Sequence, residues 1–166
     1  MRTQNEMKES NILILGVGNY LMGDEGLGVH VARALQGESL PEGVDVLDGG
    51  TAGFQLMEYL EKYQIVIMID ATLDKNPVGT IRLIEPKFSQ DFPKAMSTHE
   101  IGLKDLVESL ALLGKLPKIY LYVMTVQDIA NLHIGLSPLV ESRAIHLKRD
   151  ILQLAEELCT TAGSPV

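Results

Sequence analysis

Residues 12–31, ILILGVGNYLMGDEGLGVHV, restrict the fold of this chain more than any other stretch. The apolar run at 12–15 reads as a buried strand. Gly16, Gly18 and Asn19 break it with residues that accept tight or left-handed backbone, and a helical pattern begins near Leu27. Strand, glycine turn and helix make the first half of a βαβ unit, whose ligands gather at the carboxyl edge of the strand. The turn carries an adjacent acidic pair, Asp24 and Glu25.

A phosphate-binding loop does not account for that content. The dinucleotide fingerprint needs a third glycine where Leu21 stands. Two carboxylates beside the loop would also repel a pyrophosphate that a helix N-terminus attracts. A carboxylate pair at a strand end suits a cation better.

The 166 residues make one domain, 1–166, with an ordered core expected over about 11–160 and disorder at the first several residues and after Thr160. Hydrophobic content of 46% against 22% charged is that of a soluble globular chain. The net charge of −8, with no basic block, excludes a nucleic-acid partner. A single cysteine, Cys159, rules out an internal disulfide and fits a reducing compartment. The polar N-terminus lacks the apolar core of a signal peptide, and no run reaches membrane-spanning length. These features predict a cytoplasmic protein with no membrane partner, and a monomer by default.

Downstream, a helix is expected over 27–36 with Val29, Ala32 and Leu35 inward, and His30 within it is assigned no chemistry. A second strand, 44–48, closes in Asp48, followed by Gly49, Gly50 and Thr51. That turn reads as close backbone approach to a ligand, or as a βα turn capped by Thr51 ahead of a helix with Phe54, Met57 and Leu60 on one face. The nearly continuous apolar run 64–70 is a central parallel strand ending in Asp70, a functional candidate by position. Too few residues separate it from the strand 80–85 for a parallel crossover, so that strand runs antiparallel near an edge. A loop over 86–96 follows.

Ser97 and Glu100 match a capping box that opens a helix with Leu103, Leu106, Val107 and Leu110 inward. His99 falls in its first turn, where the helix dipole favours the neutral, metal-binding imidazole. A fifth strand, 118–126, precedes a loop containing His133, which either lines the site or packs within the loop. Ser137 and Pro138 then start the last helix, with Val140, Ala144, Leu147, Ile151, Leu154 and Leu158 on one stripe and His146 towards its outer side.

The expected fold is α/β: a three-layer sandwich with a five-stranded, mostly parallel twisted sheet, one antiparallel strand (80–85) and helices on both faces. If the strand order begins 2-1-3, Glu25 and Asp70 flank the crevice between strands one and three. With His99 they form a mixed O/N donor set suited to a divalent transition metal. With no HExxH or CxxC, such a site has to be assembled from distant segments.

The pattern GxGNxLxxDEGxG at 16–28 resembles the opening motif of the nickel–iron hydrogenase maturation endopeptidases. The likeness continues collinearly through DGGTAG (48–53), IDA (69–71), H-x-x-G-L (99–103) and HIGLSP (133–138), from about Asn11 to the last helix. One departure is Asp128 after Gln127, where many members have proline. The resemblance implies an endopeptidase that removes a C-terminal peptide from the precursor of a hydrogenase large subunit once nickel has been inserted. It implies Glu25, Asp70 and His99 as the metal-binding and catalytic trio, the nickel being supplied by the precursor. Asp48, Gly49, Gly50 and Thr51 fall in its substrate-contacting region, with Asp24, Asn19 and His133 in support. Whether the metal acts in catalysis or only in recognition stays open, as does a carboxylate serving as general base. A non-catalytic maturation chaperone and a nucleotide- or phosphate-binding domain remain the alternatives.

Overall fold

The computed structural model describes residues 11–93, 100–127 and 132–162, with backbone alone at 100–102 and 162. Five strands, β1 (Ile12–Val17), β2 (Val44–Gly50), β3 (Ile65–Thr72), β4 (Ile81–Ile84) and β5 (Lys118–Thr125), form one sheet in the order β2-β1-β3-β5-β4. All pairings are parallel except β4 with β5, so the short connection after β3 has the expected consequence. Helices α1 (Leu27–Gln36), α2 (Met57–Lys62), α3 (Glu100–Leu112) and α4 (Pro138–Ala162) cover the two faces.

Side-chain alternation along β1 divides the core. Ile12 and Ile14 pack with α1 and α4 residues such as Leu35, Leu147 and Ile151. Leu13 and Leu15 pack on the other face with Leu60, Leu106 and Leu110 of α2 and α3. A strand buried on both faces has no polar side to set its register, which explains the unbroken apolar runs in β1 and β3. All four apolar positions expected on α3 are buried.

Several boundaries differ from the sequence expectation. β2 continues through Gly50 and β3 through Thr72, so Asp48 and Asp70 lie inside strands rather than closing them. In β3 the cause is pairing: Ala71 and Thr72 stay in register with Met124 and Thr125. Before α2 the chain makes a 3-10 turn, Phe54–Leu56, whose tighter winding shifts the phase of the helix. Leu56 and Leu60 are therefore buried while Phe54 is exposed. Gly53, not Thr51, occupies the capping position, and no side chain caps that turn.

The loop after β4 contains a further 3-10 turn, Ser89–Asp91. Helix α4 runs past Thr160 to Ala162, and its buried stripe gains Ala155. His146 is exposed, as expected. Residues 1–10, Ser97, His99, Asp128 and the tail 163–166 lie outside the described residues.

Candidate active site

Backbone-to-backbone packing builds the site. A Cβ on Gly16 would stand 2.0 Å from the Gly28 carbonyl oxygen, and one on Gly28 would stand 2.3 Å from that of Ile69. Helix α1 can therefore start in direct contact with β1 and β3. Gly18, at φ +138, brings the loop against the Glu25 carbonyl, where a side chain would clash at 2.1 Å. The Asn19 carboxamide oxygen accepts the Leu21 N–H at 3.0 Å, which shapes the turn. What results is a 3-10 turn, Gly23–Gly26, buried at all four positions and packed beside β3.

The two acids of this turn have different work. The Ser137 N–H donates to Asp24 Oδ1 at 2.7 Å, and the Ser137 hydroxyl donates to Asp24 Oδ2 at 2.8 Å. Asp24 thus fastens the glycine turn to the start of α4 and places negative charge at that helix's positive end. The serine expected to cap α4 gives its hydroxyl proton to a residue far away in the chain. We expect Asp24→Ala to lower stability by roughly 3 kcal/mol, since it strands two donors of a charge-assisted pair. Urea unfolding would show this, and an unchanged midpoint would contradict it.

Glu25 is 1% exposed, as is Asp70, and they sit at the carboxyl edge of the adjacent strands β1 and β3. Gly28 against Ile69 fixes the acidic turn next to Asp70 along the chain. Asp70 Oδ1 accepts the Ala71 N–H at 2.8 Å. The structure thus assembles two of the three expected ligands at the point where strand order reverses, as the 2-1-3 order requires. Their carboxylate oxygens are donors of the kind that a divalent transition metal takes alongside imidazole. His99, the third, lies outside the described residues, among which no group of three His, Cys, Asp or Glu side chains could hold a metal.

Asp48 is engaged structurally. Its Oδ2 accepts Arg33 Nε–H at 2.8 Å and its Oδ1 accepts the Gly50 N–H at 3.0 Å. Gly50, at φ +50, accepts the Gly18 N–H at 2.9 Å, so the 48–50 run ties β2 to the glycine turn. Gly49 is buried against Leu15, and Thr51 is exposed. Arg33 also lies over the Tyr20 ring at 4.1 Å, and Tyr20 packs on His30 at 4.7 Å. Burial, then the Arg33 charge, holds the His30 imidazole below its ordinary value and keeps it neutral. Sequence alone gave no sign of this stack, because Arg33 follows Tyr20 by an interval with no helical or strand period.

The other wall is the 132–138 loop. His133 donates its N–H to the Leu21 carbonyl at 2.9 Å and accepts the Gly23 N–H at 2.7 Å. His133 is exposed and contributes, with Asp24 and Ser137, to the lining of a cavity of about 350 Å³. Behind β3, Asp74 accepts Thr125 Oγ1–H at 2.6 Å and bonds Arg82. Burial raises its carboxyl, but hydrogen bonds from Thr125 and Asn76 with the Arg82 charge outweigh that and hold it below the usual range.

An open parallel sheet with buried carboxylates at its switch point defines a doubly wound α/β domain with an acidic crevice. Known proteins resemble this chain in sequence and in fold. The family model described as hydrogenase maturation protease matches residues 29–154. The hydrogenase 2 maturation protease of Escherichia coli is 38% identical over 134 residues, covering 79% of this chain and 82% of that protein. The hydrogenase expression/formation protein HupD of Bradyrhizobium diazoefficiens is 35% identical over 67% of this chain, the match spanning 59% of HupD. The solved hydrogenase maturating endopeptidase HybD from E. coli superposes with a TM-score of 0.81 at 34% identity, covering 89% of this chain and 93% of that one. This chain belongs to the hydrogenase maturation protease family. It is accordingly a peptidase of hydrogenase maturation.

Proposed function

We propose that this protein removes a C-terminal peptide from the nickel-loaded precursor of a nickel–iron hydrogenase large subunit. The observation that carries this reading is the burial of Glu25, in the turn after β1, and of Asp70, on the adjacent strand β3, at the switch point of a maturation protease fold. Nickel arrives as part of the substrate. Glu25, Asp70 and His99 would complete its coordination, and the scissile bond would be held beside it. An incomplete ligand set of this kind reads out cofactor loading, because an empty precursor offers the carboxylates no cation. Both carboxyl groups are 1% exposed, and a divalent cation is the kind of ligand that buried acidic oxygens take. The ion, once docked, neutralises the crevice and can polarise the carbonyl under attack. The 48–51 run, bonded to the glycine turn, would border the incoming peptide.

No helix among the described residues is long and apolar enough to cross a membrane, and Cys159 is a free thiol. These features support action in the cytoplasm, and we propose a monomer.

Intact-mass analysis of nickel-loaded and nickel-free precursor, each incubated with the protein, tests the reading. One defined C-terminal peptide should be lost from the loaded sample alone. Loss from both would keep the peptidase and remove the nickel gate. Loss from neither, with the two proteins co-purifying, would point to a chaperone that binds without cutting.

A further inference from the structure

The walls of the crevice carry apolar side chains that fold stability does not use. Leu132 is 82% exposed, Ile134 is 57% and Leu21 is 51%. These three do not sit on a loosely held segment. The bridge between Met22 and His133 joins the two loops through a pair of backbone hydrogen bonds, and the Asp24–Ser137 contact fastens the same loops a second time. A rigid lip thus holds large aliphatic groups in water, a cost that a surface loop free to vary would avoid. Next to it is the cavity of about 350 Å³, bounded by Gly23, His133, Gly135, Leu136 and Pro138, with the bonded Asp24 and Ser137 at its wall. The cavity shares Gly23 and Asp24 with the turn that carries Glu25, and it shares His133 with the loop that carries Leu132 and Ile134.

Charge determines what can lie there. Neither 18–26 nor 132–140 contains lysine or arginine, and the only formal charges in them are Asp24 and Glu25. The N-terminus of α4, which would otherwise draw an anion, is already occupied by the Asp24 carboxylate. An acidic segment would meet repulsion with nothing to pair it.

We propose that the lip formed by Leu21, Leu132 and Ile134, with the adjoining cavity, is a specificity subsite that binds an apolar, non-acidic stretch of the precursor beside the cleaved bond. The inference rests on the endopeptidase reading above and names the part of the substrate that the enzyme selects. Binding the substrate through an extended apolar strip leaves the carboxylates to the metal and separates recognition of sequence from recognition of loading.

The test is steady-state processing of nickel-loaded precursor by the native protein and by a Leu132→Ser/Ile134→Ser variant, which alters no charge. Both positions are exposed, so the urea midpoint should not move. We expect KM to rise about tenfold or more with kcat within about twofold, the size that burial of one or two aliphatic side chains implies. Leu132→Met/Ile134→Val should restore KM. On the substrate side, replacing apolar residues flanking the cut with aspartate, one at a time, should identify a position that raises KM for the native protein and adds nothing in the lip variant. Unchanged kinetics in the serine variant, or a fall in kcat at constant KM, would overturn the subsite while leaving the endopeptidase in place. No cutting by the native protein would overturn the endopeptidase reading and the subsite with it.

Discussion

Glu25→Gln is expected to slow cleavage of nickel-loaded precursor by about a hundredfold or more, the scale on which removal of one charged catalytic group acts. The substitution keeps shape and volume at a position that is 1% exposed, so the packing of the 3-10 turn should survive. It removes the negative charge that would meet the metal and leaves the Asp70 carboxylate on the neighbouring strand β3. Single-turnover intact-mass analysis gives the rate, and circular dichroism checks the fold. Processing at the native rate would show that Glu25 is a packing residue and would withdraw it from the site. The contrast with Asp24 sharpens the test. Asp24 is spent on Ser137, so its loss should appear chiefly in stability, whereas the loss of Glu25 should appear in the reaction.

Gly28→Ala is expected to cost about 4 kcal/mol or more and to leave little soluble protein, the range reserved for substitutions that violate a core. The added methyl would stand 2.3 Å from the Ile69 oxygen and 2.4 Å from the Val17 oxygen, both backbone atoms of central strands. Neither can withdraw without disturbing ladders on two sides. Gly37→Ala is the control. That residue follows α1 at φ −87, and its added methyl would find no atom closer than 3.6 Å. It should change stability by less than about 1 kcal/mol. Urea midpoints for the two variants decide the matter. A Gly28→Ala protein as stable as Gly37→Ala would mean that α1 does not sit on the sheet as described.

The parts of the fold legible in the sequence were those fixed by local physics. Unbroken apolar runs gave β1 and β3 because a strand buried twice has no polar face. The brief link from β3 placed β4 antiparallel, since a parallel return would not reach. The period of Leu103, Leu106, Val107 and Leu110 gave the inner face of α3. The acidic turn and Asp70 could be placed on adjacent strands once the 2-1-3 order was assumed.

What escaped reading depends on distant or fine geometry. Ser137 carries every mark of a helix cap, and nothing local says that its hydroxyl is directed to Asp24. Nothing local to Asp48 announces that its two oxygens accept from Arg33 and from the Gly50 N–H. The exposure of Phe54 follows from a single tighter turn, which moves each later side chain round the axis and which residue spacing cannot anticipate. In β3, the two residues past Asp70 are strand only because β5 offers partners to them.

The bond from Ser137 to Asp24 spans 113 positions of the chain. During synthesis the glycine turn leaves the ribosome long before α4 exists, and contacts of such separation form late. Until then Asp24 lacks its partner, the acidic turn lacks one wall and the cavity beside it has no floor. A nascent or truncated chain that ends before Ser137 therefore lacks the contact that fastens the acidic turn. Closure of the acidic turn waits on the last part of the chain to be made.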